Sequence, residues 1–129
     1  MSFMTADEFR TLAMALPGVI EAAHQGHADF RVRGNIFATL GYPDDEWGMV
    51  RLAPDEQAKR LKQAPAVFVP AKGAWGVQGS TLVNLKAATA ETARPAMRAA
   101  WERLVREETA AHGKPGGRGK PERPKRMKI

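Results

Sequence analysis

The sequence predicts an α+β fold in which an antiparallel sheet packs on an N-terminal and a C-terminal helix. Two observations indicate this class: the first and last apolar segments have helical spacing, and short apolar runs broken by turn residues lie between them. A third observation, that no apolar run is long enough to span a bilayer, argues against a transmembrane helix. About 112 residues are ordinary for one hydrophobic core. We therefore expect one domain over residues 1–112, followed by a separate tail.

The two terminal helices have the clearest signals. Thr5 and Glu8 have the spacing of a capping box, in which each residue's side chain accepts from the other's backbone N–H, and this predicts a helix over residues 6–16. A second helix is predicted from about 92 to 112, because Pro95 is tolerated only within a first turn. Each helix carries an apolar stripe, so both can pack on one sheet.

The middle of the chain predicts an antiparallel meander interrupted by a short helix near Pro54. Two-residue turns are expected at Gly34-Asn35 and Gly79-Ser80. Alternation along one strand places Arg31 and Arg33 together on its outer face. The seven predicted strands cover residues 19–24, 28–33, 36–40, 47–52, 67–69, 75–78 and 81–85.

The excess positive charge lies entirely at the C-terminus. The chain has 20 Lys and Arg against 14 Asp and Glu, a formal charge of +6, and residues 113–129 contain seven cations and one acid. The preceding 112 residues are therefore neutral. Four Gly and three Pro predict a disordered tail at residues 113–129, which either binds nucleic-acid phosphate or only improves solubility. Its cations are Lys114, Arg118, Lys120, Arg123, Lys125, Arg126 and Lys128.

Several function classes are disfavoured. The absence of cysteine excludes disulfides, thiolate catalysis and cysteine-ligated metal. The chain has only two serines and one tyrosine, and no pair of a nucleophile and a base can be identified, so we expect no enzymatic activity and no cofactor. The N-terminus lacks the pattern of a secretory signal, which makes the cytoplasm the expected location and gives no reason to expect a membrane partner.

His24, His27 and Asp29 place three candidate metal ligands within six residues. This spacing has low specificity, because a turn at Gly26 would let the two rings diverge. Hydrogen bonds or solvent would then satisfy each side chain. We therefore predict no metal site and keep these three residues as the alternative.

Residues 72–79 place Lys72 and Trp75 among three glycines, in a predicted hairpin or loop. One interpretation is nucleic-acid binding, with Lys72 on phosphate and the Trp75 indole stacked on a base. The other is a core tryptophan in a tight glycine-rich turn. Arg31 and Arg33 likewise either contact phosphate or form the solvated face of a strand.

Two blocks of the sequence resemble the MmcQ/YjbR family: GHADFRVRGNIFATLGYP with WGMV at residues 26–50, and FVPA to GAWG with GST at residues 68–81. With the first helix, the resemblance covers about residues 5–110. It implies a CyaY-like, frataxin-related fold and DNA binding through a double wing of hairpins. Asn35 stands where the family commonly has Lys, which removes one candidate phosphate contact. The iron binding of frataxins is not implied, since the first helix has only Asp7 and Glu8 as acids.

The resulting hypothesis is a non-enzymatic DNA-binding protein. Arg31, Arg33 and Lys72 would contact phosphate from two hairpins, Trp75 would contact bases, and the tail would add nonspecific affinity. The alternative is a small-ligand or protein-interaction module whose glycine-rich hairpins frame a cleft near Trp47 and Trp75.

Overall fold

The predicted α+β class is confirmed. The computed structural model describes the backbone of residues 4–24 and 26–113 and the side chains of residues 4–23 and 26–106. The elements follow in the order α1 (Ala6–Met14), β1 (Val19–His24), β2 (His27–Val32), β3 (Asn35–Leu40), β4 (Trp47–Arg51), α2 (Pro54–Gln63), β5 (Phe68–Pro70), α3 (Gly73–Val77), β6 (Ser80–Asn84) and α4 (Ala90–Gly113).

Helix α1 begins with the predicted capping box. The Glu8 backbone N–H donates to the Thr5 hydroxyl at 3.1 Å, and the Thr5 N–H donates to the Glu8 carboxylate at 2.8 Å. The helix ends at Met14, two residues earlier than predicted, because the Leu16 N–H bonds to the Ala13 carbonyl in a tighter turn.

Helix α4 is capped by Thr89, whose hydroxyl accepts from the Thr92 backbone N–H at 3.2 Å. The helix begins at Ala90, so Pro95 lies in its second turn and the prediction of a first-turn position is wrong. Pro95 and Glu91 are both exposed, so water can solvate the Glu91 carbonyl that the missing proline N–H would otherwise bind.

The sheet has six antiparallel strands in the order β1-β2-β3-β4-β6-β5. The predicted strand at residues 75–78 is wrong, because these residues lie in and just after α3. A Cβ at Gly76 would lie 1.8 Å from the Ala71 carbonyl oxygen, so the backbone folds directly against the preceding segment. The predicted turn at Gly79-Ser80 is also wrong, since Ser80 already begins β6.

The turn between β2 and β3 is formed by Arg33 and Gly34, with φ of 54° and 82°. Two successive positive φ values are typical of a type I′ hairpin, whose twist matches that of the strands. The sequence predicted Gly34-Asn35 instead, but Asn35 begins β3 and pairs with Val32. Arg33 therefore lies in the turn, and the prediction that it shares a strand face with Arg31 is wrong.

One face of the sheet forms the core with α1 and α4. Phe30, Val50 and Val83 from three strands are buried there. Phe9 of α1 packs so closely on β4 that a Cβ at Gly48 would lie 2.7 Å from its ring. The other face of the sheet, called the open face below, is not covered by these two helices.

The end of the described chain bears on two predictions. Gly113, expected to follow the last helix, is its final residue. The predicted tail from Lys114 onward, with its seven cations, lies outside the described residues. Within residues 4–24 and 26–113, no helix combines the length and the apolar character needed to cross a bilayer.

Candidate functional site

The open face contains a cavity of about 420 Å³. Ile36, Met49 and Leu82 come from three adjacent strands and form an apolar floor. Thr39 and Ser80 add hydroxyl groups to the same lining. An apolar cavity with a few polar groups has the composition of a ligand site.

Ser80 is the most deeply buried of these hydroxyl-bearing residues. It faces Arg51 across the β4–β6 pair, which places its side chain on the open face. The residue is only 7% exposed, and its hydroxyl has no hydrogen-bond partner among the described residues. A buried hydroxyl without a partner is costly, so this group can hydrogen-bond to something that enters the cavity.

Two aromatic side chains stand at the walls of the cavity. Trp75 on α3 is 64% exposed, and Tyr42, in the loop after β3, is 59% exposed. Tyr42 also packs edge-on against His27, with ring centroids 6.4 Å apart. The interpretation of Trp75 as a core residue is wrong, and its indole is available to a ligand.

Gln57 of α2 holds α3 in position. This residue is buried, and its side-chain amide lies within hydrogen-bond distance of the Gly76 carbonyl at 3.0 Å, the Ser80 carbonyl at 3.2 Å and the Thr81 hydroxyl at 3.1 Å. The sequence reasoning missed this role. Its signal was that Gln57 shares a helix face with Leu61, where an apolar residue is expected.

Three cations lie at one end of the strands and form what we call the cationic rim: Arg33, Arg51 and Lys72. Arg33 follows the last residue of β2, and Arg51 is the last residue of β4. Lys72 follows Ala71, whose N–H bonds to the carbonyl of Ser80 at the start of β6. Because neighbouring strands are antiparallel, β2, β4 and β5 run in the same direction, and these positions lie at the same end of the strands. Arg51 also donates to the Ile36 carbonyl at 3.4 Å.

The opposite end of the strands is acidic. Asp44, Asp45 and Glu46 form an exposed acidic loop between β3 and β4. Lys86, a further cation of the body, lies at this end and forms an ion pair with Glu46 at 3.6 Å. The open face therefore has the three rim cations at one end of its strands and the acidic loop at the other, with Asp55 and Glu56 of α2 also near the cationic end.

Arg31 is bound to Asp29 on the open face. Its Nε donates to Asp29 Oδ1 at 2.7 Å, and its Nη2 donates to Oδ2 at 3.1 Å. The hydrogen bond and the nearby negative charge of Asp29 both raise the pKa of Arg31 above its ordinary value. The predicted phosphate-binding pair is thus separated, with Arg33 in the turn and Arg31 neutralised by a carboxylate.

The candidate metal ligands are not assembled by the described residues. Asp29 is buried against Arg31, and His27 packs on Tyr42 at the cavity wall. The side chain of His24 lies outside the described residues. Within the described part of the chain, no group of three His, Asp or Glu side chains could hold a metal ion.

The alternative cleft between two tryptophans is present only in part. Trp75 lines the cavity. Trp47 has the same strand parity as Met49 and so lies on the open face, but it does not line the cavity. The position facing Trp47 on β6 is Asn84, beyond the apolar floor.

Comparison with known proteins gives a family and a fold. The crystal structure of Deinococcus radiodurans protein DR2400, with domain DUF419, is similar at a TM-score of 0.68 and 17% identity, and the alignment covers 92% of this chain and 97% of that one. No curated protein matches the chain significantly. The sequence model of the YjbR family matches residues 14–106, most of the chain. The protein therefore belongs to the YjbR family.

Proposed function

We propose that this protein is a non-enzymatic DNA-binding domain that contacts phosphates through its cationic rim. The observation that carries the proposal is the placement of Arg33, Arg51 and Lys72 at one end of the strands, beside a sheet face that also exposes Trp75. A body of zero net charge can attract DNA only where its cations are grouped and its acids lie elsewhere. On this face the acidic loop of Asp44, Asp45 and Glu46 lies at the far end of the strands, whereas Asp55 and Glu56, in the first turn of α2, follow Arg51 at the cationic end.

The two wings differ from the hairpins that the resemblance implies. The first wing is the β2–β3 hairpin, with Arg33 at its turn. The second consists of β5, α3 and β6, so Lys72 and Trp75 are presented by a short helix that Gln57 anchors. Arg31 contributes less than expected, because Asp29 already neutralises it.

Any binding measurement must distinguish the contribution of the tail, residues 113–129, from that of the body, residues 1–112. We define a tail-neutral variant as the full-length chain in which seven cations are replaced by Gln, at Lys114, Arg118, Lys120, Arg123, Lys125, Arg126 and Lys128. Fluorescence anisotropy with a labelled duplex across a salt series compares it with the wild type. Removing one phosphate-binding cation flattens the slope of log K against log salt by about 0.9.

Substitutions in the rim test the body itself. In the tail-neutral chain, Arg33→Asn removes one cation while keeping a residue that tolerates positive φ, and Lys72→Ala removes another. We expect the double variant to flatten the salt slope by about 1.8. Lys86→Ala is the matched control, since Lys86 lies at the acidic end. The proposal fails if the tail-neutral chain binds neither duplex nor single-stranded DNA at low salt, or if the rim variants and Lys86→Ala have the same salt slope.

A small-ligand site is the second candidate, and the cavity of about 420 Å³ favours it. Its apolar floor and the nearby Arg51 and Lys72 match a small aromatic anion. Benzoate, which combines a ring with one negative charge, is a simple probe. Isothermal titration should detect saturable binding that Leu82→Asn weakens, whereas a heat signal equal to dilution would exclude this candidate for aromatic carboxylates.

A further inference from the structure

The exposed aromatic residues are concentrated at the cavity. Among the large hydrophobic residues that the described chain leaves exposed, only Tyr42 and Trp75 are aromatic, and both line the cavity. Flat apolar rings exposed beside a groove provide stacking surfaces for nucleobases, because every base has a π-face. This arrangement can recognise the faces of bases, which a duplex keeps stacked inside.

The polar groups of the cavity also suit a base. The Ser80 hydroxyl is buried in the lining and has no partner among the described residues, and Thr39 adds a second hydroxyl. A hydroxyl can both donate to and accept from the edge of an unpaired base. Since the floor between these groups is apolar, it favours an uncharged part of the ligand.

The charge distribution then fixes how a strand would lie. Arg51 and Lys72 of the cationic rim line the cavity, Arg33 follows β2 at the same end of the strands, and the acidic loop of Asp44, Asp45 and Glu46 lies at the other end. Phosphates are attracted to the cationic end of the strands and repelled from the acidic loop. A strand that follows the rim thus directs its bases over the floor, across β2, β3, β4 and β6, a width of about 14 Å at ~4.8 Å between strands.

We propose that the open face binds single-stranded DNA, with the phosphates along the cationic rim and unpaired bases on the floor, stacked on Trp75 and Tyr42. This inference rests on the proposed DNA-binding function and names its preferred ligand. A duplex can contact the rim with its phosphates, but it cannot offer the faces of its bases to Trp75 without unpairing. The protein therefore binds an unpaired strand more tightly than a duplex.

The test uses the tail-neutral full-length chain and a labelled strand of about 15 nucleotides, alone and annealed to its complement. We expect tighter binding of the single strand, and Trp75→Ala should weaken that binding about 5- to 150-fold, the effect of losing one stacked base. Duplex binding should change by less than about two-fold. Trp75→Phe should restore most of the single-strand affinity, because it keeps an aromatic face.

Val77→Ala is the matched control. Val77 lies on the same short helix and is 77% exposed, but it does not line the cavity. The Val77→Ala variant should bind both ligands within about two-fold of the tail-neutral chain. Equal or tighter binding of duplex, or equal losses for both ligands in Trp75→Ala, would overturn this inference and leave the DNA-binding proposal in place. Absence of binding to either ligand would overturn both.

Discussion

Arg31 covers the carboxylate of Asp29 on the open face of the sheet. Asp29 is 1% exposed and Arg31 is 35% exposed, so the guanidinium reaches solvent while the carboxylate depends on it for two hydrogen bonds. Removing Arg31 and removing Asp29 should therefore have different consequences. Arg31 is a structural partner of Asp29 before it is a candidate phosphate contact.

We expect Arg31→Ala to lower the free energy of unfolding, because it leaves the buried Asp29 without its counter-charge. Urea denaturation measures the loss, which should appear as a lower midpoint at an unchanged slope. Arg33→Asn, which removes a cation from a turn, is the control and should not destabilise the fold. Similar losses in both variants would contradict the assigned role of the pair.

The same pair predicts how stability depends on pH. Asp29 raises the pKa of Arg31, so the stabilisation that this shift represents is fully present below the pKa of an unfolded arginine and is lost only as pH rises through the higher folded value. Urea denaturation of wild type and Arg31→Ala should give the same difference in free energy of unfolding between the two proteins at neutral and at mildly alkaline pH. A difference that disappears at mildly alkaline pH would contradict this assignment.

Gln57→Ala should loosen the second wing. The buried amide donates toward two carbonyls and one hydroxyl, each of which has another hydrogen bond. Truncation therefore removes the hydrogen bonds of Gln57 and leaves its buried site unfilled, at a cost of about 1–2 kcal/mol. Urea denaturation gives the stability, and hydrogen exchange should show faster exchange at α3. Gln63→Ala on the same helix is the matched control because Gln63 is exposed. Equal effects of the two variants would exclude the anchoring role.

Gly76→Ala should disrupt α3. The added Cβ would lie 1.8 Å from the Ala71 carbonyl oxygen, a clash that can be relieved only by moving backbone. We expect loss of single-strand binding together with a stability loss of at least about 2 kcal/mol. Gly34→Asn is a suitable control, since a Cβ at Gly34 meets no atom within 4 Å and Asn tolerates positive φ. Unchanged binding by Gly76→Ala would contradict the described α3 geometry.

Gly48→Ala should destabilise the core by about 1–3 kcal/mol, because its Cβ would meet the Phe9 ring at 2.7 Å. A double-mutant cycle separates this clash from other effects. Phe9→Leu makes room beside Gly48, so the double variant should be more stable than the sum of the two single losses predicts. Simple additivity, measured by urea denaturation, would show that the two residues do not compete for the same space.

Local chemistry made part of the fold predictable. The capping box of Thr5 and Glu8 located the start of α1, and turn residues bounded β1 at Val19–His24. These signals depend on neighbours in sequence, so they can be read without knowing the tertiary structure.

The second wing could not be predicted in the same way. Helix α3 depends on the close approach of Gly76 to Ala71 and on a hydrogen bond from Gln57, which lies 19 residues earlier. Such contacts exist only after folding. The Asp29–Arg31 pair was more accessible, because alternate residues of a strand share a face. The prediction considered Arg31 only as a phosphate contact and Asp29 only as a metal ligand, and it did not pair the two.

Arg33 is the residue whose conformation has the widest consequence. Its φ of 54° is a conformation that Gly, Asn or Asp adopt more comfortably, and an arginine there costs on the order of 1 kcal/mol. The fold alone would favour one of the smaller residues. If its charge serves binding, Arg33 is a site of stability–activity trade-off: Arg33→Gly or Arg33→Asn should give a more stable protein that holds DNA less well. Selection for thermostability alone would then remove part of the binding surface.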